Sequence, residues 1–437
     1  MATKYWRPRA GAIPHIVTVT FGGTPAGTDT VTIDINDSPL TVTIASLTAT
    51  TDVANAMAAA WSAQTATANL VEDETRNVGG AQLAEHSTIR CVAESNTVIL
   101  TAIVPGVPFV ITESKTGAVT IAQATTQVAT GPNHIDDAAN WSGGTLPIAA
   151  EPIVFDQGSV SALYGLSKFR DTTVDNSILI TGDFAGSIGL PWWNASGYQE
   201  YRDRFFELYD TLGLRSIDVV AGSNGGTGNS SQVFRFDLQS QVWNEIHVNA
   251  SVLGNQPRLE VHGGSVDLLS VDEGWVSIDP DDAEQSAGMT VDKVVIGKAN
   301  GSTNNPNVSI GRLTAWNAAD SPIDVLGGYV ALHNLLDQGA PEGTPLTISG
   351  GMVRAVSDGD INAVVIKGGV FAWMGVGTAN GTIDIWPHGT LDVSQDGRLK
   401  TAWGTVNGYH GATAMLGRQV PTITPVGCFL EDIKVSR

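Results

Sequence analysis

Beyond about residue 140 the chain repeats one short pattern: a run of three to five β-prone residues, a pair of glycines, and a second such run. Leu259-Glu-Val-His leads into Gly263 and Gly264, and Ile323-Asp-Val-Leu into Gly327 and Gly328. Leu346-Thr-Ile-Ser leads into Gly350 and Gly351, and Val364-Val-Ile-Lys into Gly368 and Gly369. Weaker copies surround Gly311 and Gly389, and the leading glycines at 327, 350, 368 and 389 stand 23, 18 and 21 residues apart. A period of about 20 residues with two short strands predicts the rungs of a β-solenoid, whose Val, Ile and Leu are buried only when coils stack on both sides. Glycine suits the corner, where φ takes values that a Cβ would forbid. The fold class expected is therefore mainly β, with a parallel β-helix body over 131–437. An antiparallel β-sandwich is the alternative, because hairpins also place turns about every 8–12 residues. It needs two-residue Asn-Gly or Asp-Gly turns between strands, and the chain's pairs mostly fall between repeats.

Residues 15–130 follow other rules. Alternation with a period of two predicts strands over 15–21, 30–35 and 40–44, with the turn-forming Asn36-Asp-Ser-Pro39 between the last two. The period then lengthens: 51–64 is Ala-rich, begins with Thr51 or Asp52 as N-cap, and sets Val53, Met57, Ala60 and Trp61 on one stripe. Strands resume over 88–92, 97–102, 109–112 and 119–127. This is a small α+β domain inserted between an N-terminal segment, 1–14, and the body they share.

Within the body, an insertion over 188–212 is crowded with Trp192, Trp193, Tyr198, Tyr201, Phe205, Phe206 and Tyr209. A short helix over 198–209 would line up Tyr198, Tyr201, Phe205 and either Leu208 or Tyr209. Such a face suits a plug for the end of a stacked core, a contact with a neighbouring subunit, or stacking against a sugar.

Charge narrows the partners. Asp+Glu 44 against Lys+Arg 23 gives a net charge of −21, which opposes nonspecific nucleic-acid binding and anionic membranes. No apolar run of 18 residues is present, and Met1-Ala-Thr-Lys-Tyr-Trp lacks the apolar stretch of a signal peptide. Synthesis in a host cytoplasm is expected. Cys91 and Cys428 are too few for a disulfide scaffold and read as small core residues.

Signals for chemistry are sparse. Asp279, Asp281, Asp282 and Glu284 form the densest carboxylate group. They offer oxygens for Ca²⁺, but in no EF-hand spacing, and a solvated acidic loop between rungs accounts for them with no further explanation. Paired carboxylates also serve glycosidases. The eight histidines show no zinc-helix spacing, and the chain has no nucleophile elbow or Walker loop, so no cofactor is expected and no catalytic residue is assigned. Trp275, Trp316, Trp373, Trp386 and Trp403 are spread across the repeats, either buried at rung ends or lining a groove.

Tyr5-Trp6, and Asn140-Trp141-Ser142-Gly-Gly-Thr-Leu-Pro147 followed by Glu151-Pro-Ile-Val-Phe-Asp156, look like one opening split in two. This resembles the start of a family of bacteriophage structural proteins with a Tyr-Trp pair, an Asn-Trp-Ser segment and a β-helical body. The intervening residues are similar to small α+β modules of phage virion proteins. The resemblance implies a virion-surface role, as a homotrimer bound to other virion proteins such as the major capsid or tail proteins. Capsid decoration is favoured over a tail fibre. The alternative is a tailspike that binds or cleaves a host surface glycan.

Overall fold

The computed structural model describes residues 2–36, 38–44, 47–66, 85–148, 151–169, 177–193, 199–208, 216–220, 232–239, 242–249, 258–278, 290–291, 293–297, 311–315, 323–332, 346–355, 363–374, 378–379, 381–394, 402–418, 421–428 and 430–436. Among them the protein is mainly β, with one α-helix, and its apolar side chains gather in two clusters.

The smaller cluster lies within residues 17–119. Ile16–Gly23 is the inner strand of an antiparallel sheet, flanked by Thr97–Ala102 and Val119–Gln127, with Ile89–Glu94 beyond Thr97–Ala102. Thr30–Ile35 pairs with Ser38–Thr43 and with Thr112–Lys115 in a second antiparallel sheet. Alternation sets the faces: Val17, Val19, Phe21, Val31, Ile33 and Ile35 are all buried. The helix Thr50–Ala66 buries Val53, Met57 and Trp61 as the stripe predicts, together with Ala54. Its start differs from expectation. Asp52 is the third helical residue, and its carboxylate accepts from the Ala49 N–H at 3.2 Å, half of a capping box. The strand expected over 109–112 begins only at Thr112, although Phe109 and Ile111 are buried.

The larger cluster takes Trp6 and residues from 135 to 433. Every pairing between named strands from Ile153–Phe155 onward is parallel, and each strand pairs with one about a repeat later. Two ladders result. One passes through Leu346–Ile348, Val364–Ile366, Ile383–Ile385, Val406–Gly408 and Ile423–Pro425. The other passes through Tyr329–Leu332, Met352–Ala355, Gly369–Trp373, Gly389–Asp392 and Thr413–Met415. The long strand Ser265–Ile278 serves both, Leu269 to Val271 in the first and Gly274 to Ile278 in the second. An antiparallel sandwich is thus not the architecture of the described residues.

Equal register stacks like on like. Leu346, Val364, Ile383, Val406 and Ile423 form one buried column, and Val353, Phe371, Leu391 and Ala414 another. Such columns are apolar only inward, which gives each strand its period of two. Gly327-Gly328, Gly350-Gly351 and Gly368-Gly369 join the first ladder to the second, and the second glycine of each pair has a positive φ. The copy at Gly263-Gly264 is out of phase. It follows Arg258–His262 of the second ladder and leads into the first, and both glycines have positive φ.

Candidate functional site

Where the smaller unit meets the ladders, the two halves of the split opening come together. Lys4–Tyr5 pairs in parallel with Ile153–Phe155. Trp6 lies edge-on to Trp141, their ring centroids 5.4 Å apart. Their indole N–H groups donate to the Val160 and Ile135 carbonyls at 3.1 and 2.8 Å. Asn140, fully buried, uses both ends of its amide: Oδ1 accepts from the Arg9 and Ala10 N–H groups, and Nδ2 donates to the Gly131 and His134 carbonyls, all within 2.8–2.9 Å. One side chain therefore ties the strand leaving the ladders to the strand returning. Arg7 holds Asp156 through two guanidinium nitrogens at 2.6 and 3.1 Å, and Lys4 lies 3.6 Å from Glu151.

Beside this neck the His15 Nδ1 accepts from the Ala129 N–H at 3.2 Å, and burial, then the charge of His134, lowers the His15 pKa. His134 Nε2 donates to the Gly106 carbonyl at 2.9 Å.

The aromatic segment makes the second connection. The described part, 199–208, is not helical: its backbone bonds sideways, with the Glu200 N–H donating to Trp192 O at 2.7 Å and the Leu190 N–H to Arg204 O at 2.9 Å. Adjacent Phe205 and Phe206 are both buried, which one helical face does not permit. Phe206 packs on Phe169 and Phe236, and Phe205 stands edge-on to His262 at 4.0 Å. Tyr201 turns the other way and packs on the smaller cluster. Trp192 is half-buried beneath Arg204, whose guanidinium carbon is 4.5 Å from the ring centroid, and Trp193 is exposed. Tyr198 and Tyr209 lie outside the described residues.

Glu200 and Arg202 form the charged centre of this joint. Arg202 Nε and Nη2 bind the Glu200 carboxylate at 2.6 and 2.7 Å, and Nη1 donates to the Pro108 carbonyl at 3.2 Å. The guanidinium lies over the Tyr164 and Tyr201 rings at 5.3 and 5.5 Å. Burial opposes its charge, and Glu200 outweighs burial, so its pKa stands above the ordinary value. Burial pushes the Tyr164 and Tyr201 hydroxyls up. Asn36 adds a bridge, its amide donating to Gln199 O and to Glu85 Oε1, both at 2.9 Å. A cavity of about 250 Å³ opens here between Glu85, Val104, Pro108, Tyr164, Tyr201 and Arg202. Sequence reasoning missed Glu200, Arg202, Asn36 and Glu85. The one signal was the alternation of arginine with aromatics over 201–206, which suits cation–π packing.

Other expected residues scatter. Trp373 is buried, Trp403 is half-buried against it at 5.4 Å, and Trp386 is 42% exposed. The side chain of Trp275, and Trp316, Asp279, Asp281, Asp282 and Glu284, lie outside the described residues. Among the described residues no cluster of His, Cys, Asp and Glu is arranged to hold a metal ion, and no helix is long and apolar enough to cross a membrane. Cys91 is half-buried, its thiol pushed up to about 12 by burial, and Cys428 lies 3.6 Å from the Gly408 carbonyl. No protein-family model matches the chain, and no curated protein matches it.

Proposed function

We propose that this protein is a structural component of a bacteriophage virion surface, a homotrimeric capsid decoration or spike. In this reading the two ladders wind as a β-solenoid that carries the α+β unit on its flank. The observation that carries it is the parallel pairing of each strand with one a turn later, continued in register to Lys434–Ser436. Stacked turns form a long, stiff body with side faces for lateral contact, as a shell protein requires. The junction suits display: the Asn140 amide, the Trp6–Trp141 pair and the Glu200–Arg202 pair hold the smaller unit at two places. A net charge of −21 keeps densely arrayed copies soluble.

Sedimentation equilibrium tests the assembly: the mass expected is three times the 45.6 kDa chain, with the friction of an elongated particle. A compact monomer overturns it. Immunogold labelling with antibody against the α+β unit tests the location on particles released from producing cells. Label on capsid faces supports decoration, label on tails shifts the protein to a fibre, and unlabelled particles overturn the virion role.

A further inference from the structure

The cavity at the joint takes its walls from both sides. The smaller unit supplies Glu85, Ile89 and Phe109, and the body supplies Tyr164, Tyr201 and Arg202. Ile89 and Phe109 are buried, whereas Val104, which also lines the space, is 58% exposed, so the cavity opens to solvent. Close packing across this joint would stabilise it, and the space forgoes those contacts. An apolar cavity of about 150 Å³ takes benzene. The volume here, about 250 Å³, has room for a ring and a short arm.

The polar groups of the wall select among ligands. Arg202 is committed, its Nε and Nη2 to the Glu200 carboxylate and its Nη1 to the Pro108 carbonyl. An entering anion therefore finds the paired edge of the guanidinium already taken. Glu85 is only 3% exposed, and its Oε1 accepts from the Asn36 amide at 2.9 Å. A carboxylate offers about four acceptor positions, so the group can take a further donor. Its charge is felt across the space: after burial and Arg202, Glu85 is the next influence on the Tyr201 hydroxyl, and it pushes that pKa upward. Glu85 and Glu200 against Arg202 are two carboxylates against one guanidinium, which leaves one negative charge.

We propose that this cavity binds a small primary amine with an apolar body, its ammonium on the Glu85 carboxylate and its body against Ile89, Ala102 and Phe109. An ammonium brings three donors and no acceptor, which suits a carboxylate wall. An acid, or an amino acid, brings a second carboxylate that meets a guanidinium already engaged. A ligand seated here touches the smaller unit and the body at once, so its binding energy holds the joint closed. The proposal does not rest on the virion reading, since amine binding is measured on the purified protein whatever its location.

Isothermal titration calorimetry of the full chain with phenethylamine near neutral pH tests it, beside phenethyl alcohol, which lacks the charge, and phenylacetate, which reverses it. The amine binds about tenfold or more tighter than the alcohol, as one charge-assisted contact provides, and phenylacetate gives no binding. Glu85→Gln brings the amine down to the level of the alcohol. Val107→Phe, at another residue of the wall, fills the space and abolishes binding of both. It decides the matter should Glu85→Gln fail to fold. Bound amine also slows hydrogen exchange at 97–111 and at 199–208 together, because it bridges the two sides. No binding of the amine, binding of the alcohol or of phenylacetate as tight as the amine's, or an undiminished preference for the amine in Glu85→Gln overturns the proposal. So does amine binding that survives Val107→Phe, or protection confined to one side.

Discussion

A Cβ on Gly351 would lie 2.3 Å from the carbonyl oxygen of Gly328, one repeat earlier in the ladder. Gly369 stands in the same relation to Gly351, at 2.4 Å. The leading glycine of each pair serves a different need. Gly350 has no positive φ, but its Cβ would meet Leu326 O at 2.6 Å, as that of Gly368 would meet Ser349 O at 2.6 Å. The corner thus needs one glycine for close approach and a second for both approach and φ.

Gly351 and Gly411 separate these two effects. Both have positive φ, 72 and 82, yet a Cβ on Gly411 meets nothing nearer than 3.9 Å. Gly411→Ala should cost only left-handed strain, about 1 kcal/mol, whereas Gly351→Ala adds a backbone clash and should cost about 3 kcal/mol or more. Urea unfolding midpoints of the two variants measure the difference. Equal losses would show that stacking does not set the requirement.

Arg202 is predicted to be worth more as a partner than as a charge. Arg202→Met leaves the Glu200 carboxylate buried and without its two guanidinium bonds. Removing one member of a buried pair costs about 3–5 kcal/mol. Pairing the change with Glu200→Gln should recover part of the loss, since position 200 then no longer buries an unpaired charge. Hydrogen exchange at 97–111, beside the Pro108 carbonyl that Arg202 holds, should accelerate in the single variant and slow again in the double.

His86 sets an acid limit on the smaller unit. It is buried edge-on to Trp61 at 4.7 Å, neither ring nitrogen has a hydrogen-bond partner among the described residues, and burial lowers its pKa from 6.5 to about 4. The folded chain keeps the ring neutral while the unfolded chain takes up a proton below 6.5. The unfolded state therefore binds more protons between pH 6.5 and 4, and stability falls as pH falls through that window. The full loss is on the order of 3 kcal/mol below pH 4. His86→Phe should flatten this branch of a melting-temperature profile between pH 4 and 7. An unchanged slope in the variant would assign it to other groups.

What the residues alone reveal depends on how local the determinant is. Alternation over Ile16–Gly23 and Thr30–Ile35 is a property of neighbours along the chain, so those strands were legible. The Gly-Gly corners were legible because the steric need recurs at three successive repeats, Gly327-Gly328, Gly350-Gly351 and Gly368-Gly369. The reversed phase at Gly263-Gly264 was not, since strands of both ladders share one pattern of apolar alternation. The segment 199–208 misled for a related reason: its aromatics sit at helical spacing, but Phe206 and Tyr201 answer to two different cores. Trp373 ends a strand of the second ladder and is buried, whereas Trp386 comes just after a strand of the first and is exposed, a difference that short β-prone runs alone do not display.

Asn140 gives a last test, because its amide both accepts and donates in the neck, which a carboxylate cannot do. Asn140→Asp keeps the shape and the acceptor facing Arg9 and Ala10, but turns the donor facing the Gly131 and His134 carbonyls into an oxygen. Two buried carbonyls lose their partner and meet a repelling atom, a loss of about 2–4 kcal/mol near neutral pH. Burial and the two carbonyls favour the protonated acid, so the new carboxyl in the folded chain titrates above its unfolded value of about 3.9. A group raised in this way destabilises most above its folded pKa, and the deficit shrinks as pH falls and the acid regains one donor. Relative to the parent, the variant should therefore be weakest at pH 8 and recover part of its loss toward pH 4. Calorimetric scans across that range measure it, and a deficit independent of pH would mean that the amide's donors do not hold the neck closed.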